Sequence, residues 1–142
     1  MQRYTIPKLF GLTLLTQVVL VVISFAEVFA YSIFFEPGHD ESFYEAHAQT
    51  SAPWISGIFG LIIFFLVVRY WTQKPLPNAS KLAVLFPLIY LVWDLFVIVL
   101  IGVPDWAEFL PIFLLSACAK AFGSFFGYYF SKPGTGAKLP IP

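Results

Sequence analysis

The chain has 142 residues, 59% of them hydrophobic and 11% charged, with a mean hydropathy of +0.82. Soluble globular domains carry about 25% charged residues, so the composition excludes that class and points to an all-α integral membrane protein. The formal net charge is zero, and neither a basic nucleic-acid patch nor a nucleotide-binding loop, an HExxH motif or a nucleophile elbow occurs.

Four apolar segments follow one another, at about 9–35, 53–71, 82–103 and 109–130. Each is long enough for a helix to cross a hydrocarbon core roughly 30 Å thick at about 1.5 Å per residue. In lipid the backbone must satisfy its own hydrogen bonds, which for such segments means α-helix. The expected architecture is a single four-helix transmembrane bundle over residues 1–132, followed by a short Pro/Gly-containing tail, 133–142. No internal repeat interrupts it.

The first segment follows Arg3 and Lys8 and carries Thr13, Gln17, Ser24, Glu27 and Tyr31 on one helical stripe. A basic start, an apolar run and Ala30 also fit a signal peptide cut after Ala30, an alternative opposed by the length of the run and by Glu27 beside the cut. The connection "EPGHDESFYEAHAQTSAP" then holds Glu36, His39, Asp40, Glu41, Glu45 and His47. Two histidines with carboxylates make His39 and His47 weak candidates for a divalent metal, as in a metal-dependent membrane enzyme, but their spacing matches no established ligand pattern. The plainer expectation is an acidic loop with a short interfacial helix capped by Asp40, and no bound cofactor.

The second segment carries a Ser56/Gly60 step, and its tryptophans Trp54 and Trp71 suit interfacial belts. Arg69, Lys74 and Lys81 lie in or beside the next connection, which also holds the sequon Asn78–Ser80. The third segment contains Pro87, a candidate kink, with Tyr90, Trp93 and Asp94 beyond it; Trp93 is a possible indole donor to the acid. Asp105, Trp106 and Glu108 precede the fourth segment. That segment contains "SACAKAFGSFFG", with Ser116, Lys120, Gly123 and Gly127 on one stripe. Cys118, the single cysteine, excludes an intrachain disulfide and is expected to be a small packed residue.

All the basic residues except Lys120 fall at the ends or in the connection on one side, so both termini are expected in the cytoplasm and the sequon is expected to go unused. The expected location is a multi-pass position in a membrane, the plasma (inner) membrane if the source is bacterial, with lipid as the surroundings and a second copy or a membrane protein as possible partner.

Glu27, Asp94 and Lys120 are the charges inside the spans. Counted from the expected outer ends they lie roughly 12, 14 and 16 Å deep, which predicts one cluster. Each charge costs about 2.5–3.5 kcal/mol at a helix centre, so three unpaired would cost roughly 8–10 kcal/mol. Lys120 is expected to pair with Asp94 across the short third connection. Glu27 is then a second partner or a protonated acid suited to proton-linked transport or permeation. Gln17, Ser24, Tyr31, Tyr90, Trp93 and Ser116 would form the polar faces around it. The opposing reading is a non-catalytic accessory or scaffold subunit whose charges are structural. The stretch "FAEVFA" around Glu27 resembles the small multidrug resistance transporters, which have about four helices and use one glutamate in the first. That resemblance covers only these few residues, and implies transport through Glu27.

Overall fold

A computed structural model describes residues 6–73, 79–102 and 105–131. Arg3, Tyr4, Lys74, Asn78 of the sequon, Val103, Lys132, Lys138 and the 133–142 tail lie outside them. Among the described residues the chain is helical, without strands, and four helices are long and apolar enough to cross a membrane. They are α1 (Ile6–Ala30), α2 (Glu41–Thr72), α3 (Ala79–Ile101) and α4 (Trp106–Ser131).

The helix ends depart from the apolar limits at informative places. Beyond Ala30 the chain continues as one π-helical turn, Tyr31–Phe35, closed by Glu36 N–H donating to Tyr31 C=O at 3.1 Å. Gly38, at φ +89°, makes the reversal that a side chain would resist. Asp40 then caps α2 by accepting from Phe43 N–H at 3.1 Å. The expected interfacial helix is not separate: the polar segment after Asp40 is the first part of α2, which runs through Pro53 without a break. At the other hairpin Gly102, at φ +84°, closes α3 by donating to Ile98 C=O, and Asp105 caps α4 through Ala107 N–H at 2.7 Å. The helix of α3 also continues through Pro87.

Packing is tightest between α2 and α4, which run parallel. Gly57 lies against Ser116, Gly60 against Lys120, and Gly123 and Gly127 against the α2 backbone at Leu61 and Phe65. At the far end the hydroxyls of Thr72 and Ser131 meet. The face of α2 turned to α4 is thus Gly57 and Gly60, with Ser56 turned toward the Tyr90 hydroxyl instead. A second apolar cluster joins α1, α2 and α3 around Leu9, Phe64, Phe86 and Tyr90, with Phe64 stacked on Phe86 at 4.5 Å and edge-on to Tyr90 at 5.1 Å. Ser124 on α4 donates to Ala83 C=O on α3 at 2.6 Å, which fastens the antiparallel pair at the same end. The helix α1 is peripheral: 6% of its most apolar window is buried, against 28% for α2 and α4. Outward faces are rich in Val, Leu and Phe, the pattern expected where the surroundings are lipid.

Candidate functional site: a buried ion pair and a separate outer cluster

Lys120 and Asp94 approach across the α3–α4 interface, with Nζ 3.6 Å from Oδ2, and both side chains are largely buried. The Lys120 stem lies over Gly60, where a side chain would meet its Cε and Cγ at 2.9 Å. That glycine opens the path by which a long basic side chain leaves α4 and reaches α3. Its ammonium also sits over the Tyr90 ring, 4.7 Å from the centroid. From α1, Gln17 donates its amide to Asp94 Oδ1 at 3.4 Å. All four helices therefore border this one group.

Glu27 belongs elsewhere, a correction to the expected triad. Its carboxylate takes His47 Nε2 at 2.8 Å and Ser51 Oγ–H at 3.0 Å, both from the first turns of α2. Tyr31 stacks on the His47 ring, 3.7 Å between centroids and 4° from parallel. The reason is axial position. Gln17 marks the level of Asp94 on α1, and Glu27 follows ten residues later, roughly 15 Å farther along the helix. Depth counted from the apolar ends brings the three charges to one level only where the helix ends are level, and they are not. With Gly57 beside Ser116, the first residue of α4 comes level with His47. Residues 41–46 of α2 therefore extend about 9 Å past it.

The remaining expected site residues divide between these two places and neither. Tyr90 is buried beneath the Lys120 ammonium. Trp93 packs edge-on to Phe10 at 5.2 Å and tilted against Phe96, and among the described residues its indole makes no bond to Asp94. Ser116 is buried against Gly57 with its hydroxyl unpartnered, as are Thr13 Oγ1 and Gln17 Oε1. Ser24 is half-buried on α1. Cys118 is exposed rather than packed between helices, because two residues before Lys120 is the outward side of α4.

The two histidines have different company. His39 meets Glu36 at 3.2 Å and stacks on Phe43 at 4.1 Å, within a turn tied by Tyr44 O–H donating to Glu36 C=O. His47 meets Glu27. Among the described residues no three His, Cys, Asp or Glu side chains converge as a metal site would require. The pairing of His47 with Glu27 was not foreseen because residues 41–52 read as a connection; their continuation into α2 fixes His47 and Ser51 one turn apart on one face.

Between α3 and α4 lies a half-open groove of about 430 Å³, walled by residues such as Ala83, Pro87, Leu91, Ala117 and Phe125. Asp94, Lys120 and Tyr90 border it. Comparison with family models, with curated proteins and with solved structures finds no match to this chain.

Proposed function

We propose that the chain is a multi-pass membrane protein with both termini in the cytoplasm, acting as a non-catalytic accessory or scaffold subunit whose buried charges hold its helices in register. The observation carrying this reading is that Lys120, Asp94 and Gln17 come from three helices and meet over Gly60 of the fourth. The ion pair is formally neutral, and its acid already has two partners. Both members are thereby engaged with each other and with neighbouring helices, which supports a structural role. Lys8 in the first turn of α1 and Arg69 and Lys81 around the α2–α3 connection support the orientation through the distribution of basic residues.

The test is a double-mutant cycle on stability in bilayer-like micelles. Lys120→Met strands Asp94 and is expected to destabilise by about 3–5 kcal/mol, and Asp94→Asn added to it is expected to recover most of that loss. A double variant no more stable than Lys120→Met alone would remove the structural reading.

A second reading, proton-linked permeation, is favoured by one observation. Glu27 shares an α1 face with Gln17 and Thr13, both of which keep a buried oxygen without a partner. Such a row offers a polar route from the outer cluster toward Asp94. Its test is pH-dependent flux in proteoliposomes, which should fall in Glu27→Gln; unchanged flux sinks it.

A further inference from the structure

The groove between α3 and α4 goes beyond a structural role for the ion pair. Along α3 it runs from Asp94 to Ala83, eleven residues or roughly 16 Å, and along α4 from Ala117 to Tyr128. At about 430 Å³ it lies within the size range of small-molecule sites, and its walls are apolar except at the Asp94–Lys120 end, bordered by Tyr90, and at Tyr128 by the opposite mouth. We infer that this groove binds a neutral, membrane-dissolved lipophile carrying a carbonyl head, with the carbonyl oxygen at Lys120 Nζ and the apolar body along Leu91, Pro87 and Ala83.

Three features select that chemistry. The first is donor capacity. An ammonium has three N–H donors, and the approach to Asp94, at 3.6 Å, is longer than the 2.7–2.9 Å of a well-formed charge-assisted hydrogen bond. A second acceptor at Nζ is accommodated without breaking the pair.

The second is charge. The pair sums to zero, so an anionic head would leave a net negative charge in apolar surroundings, whereas a carbonyl adds none. The third is depth. Asp94 is seven residues from the end of α3 at Ile101, roughly 10 Å in, and the groove extends from there farther inward. A phospholipid in its ordinary orientation keeps its head at the interface and its tails in the core. A groove whose ion pair lies deep in the core, with only Tyr128 among its polar residues near the opposite helix termini, has the reverse arrangement. A neutral lipophile, which enters the core head included, fits it.

The test uses the full chain in phosphatidylcholine nanodiscs with a long-chain alkylbenzophenone, whose carbonyl serves both as acceptor and as photo-crosslinker. After irradiation, mass spectrometry of peptides locates the adducts. They should concentrate on Leu91, Ala117 and Ala121. A long-chain methyl ketone should compete roughly tenfold better than the alkane of equal length, the ratio expected of one hydrogen bond to a charged donor. Ala121→Trp, which fills the groove and leaves Asp94 and Lys120 in place, should lose the labelling. In Lys120→Met/Asp94→Leu, which leaves no donor from either member of the pair, ketone and alkane should compete equally. Adducts spread evenly over outward residues such as Val22 and Leu114 overturn the proposal. So does equal competition by ketone and alkane in the unaltered protein, or loss of labelling to added phosphatidylglycerol, which would identify an anionic lipid instead.

Discussion

The glycines supply a graded test of the α2–α4 contact. A Cβ at Gly11 would meet nothing within 4 Å, and one at Gly57 would touch Ser116 at 3.6 Å, an ordinary contact. At Gly60 the new atom would lie 2.9 Å from Cε and Cγ of Lys120, a flexible stem that can shift. At Gly127 it would lie 2.5 Å from the Phe65 carbonyl oxygen and 3.1 Å from Arg69 N, and at Gly123 it would overlap the Leu61 carbonyl. Backbone of a paired helix cannot move aside alone, so the last two substitutions must push α2 and α4 apart. Overpacking of that kind costs about 1–3 kcal/mol.

The expected order of destabilisation by alanine is therefore Gly11, Gly57, Gly60, Gly127, Gly123, from within about 0.5 kcal/mol for the first to about 3 kcal/mol for the last. Gly123→Ala combined with Gly127→Ala should cost less than the sum, because separating the helices for one relieves the other. Denaturant titration in micelles, followed by tryptophan fluorescence, measures each value. If Gly123→Ala costs no more than Gly57→Ala, the two helices do not approach as described.

Removing the cap with Asp40→Ala should cost about 1 kcal/mol and raise hydrogen exchange in residues 41–46 while leaving α3 and α4 unchanged. His47→Ala should loosen the junction of α1 with the start of α2, read as faster exchange over 41–51; protection equal to that of the parent would show that the Glu27–His47 contact contributes nothing. Cys118→Ala should change stability by less than about 0.5 kcal/mol, since the thiol faces outward; a loss of several kcal/mol in the same titration would contradict that exposure.

Composition and apolar run length made four apolar helices legible, because lipid leaves so few backbone choices. The third and fourth segments lie close to α3 and α4 for the same reason. Residues 41–52 were not legible as part of α2, since hydropathy reports what can sit in lipid and not where a helix begins. A capped polar start such as "DESFYEAHA" continues into an apolar run with no sign in the hydropathy itself. The contact of Lys120 with Asp94 was readable from helix adjacency and charge. Glu27 was misplaced because depth counted from apolar ends is blind to helices that overrun their neighbours. His47 and Ser51, its partners, lie in the stretch whose short helix reads as separate from the second span rather than as its first turns.

The same geometry limits how copies of this chain can associate. Small residues at helical spacing permit close backbone approach, and Gly57, Gly60, Gly123 and Gly127 are already engaged between α2 and α4. A homodimer built on those stripes would first have to break the tightest contact in the molecule. The most open surface is instead α1, whose outward residues Val18, Val22, Phe25 and Phe29 are bulky or β-branched. In lipid such a face gains little from leaving acyl chains for another apolar surface, since no hydrophobic driving force distinguishes the two. A partner helix that displaces lipid there must therefore bring shape complementarity, because Glu27 faces His47 and Ser51 of α2 on the other side of α1.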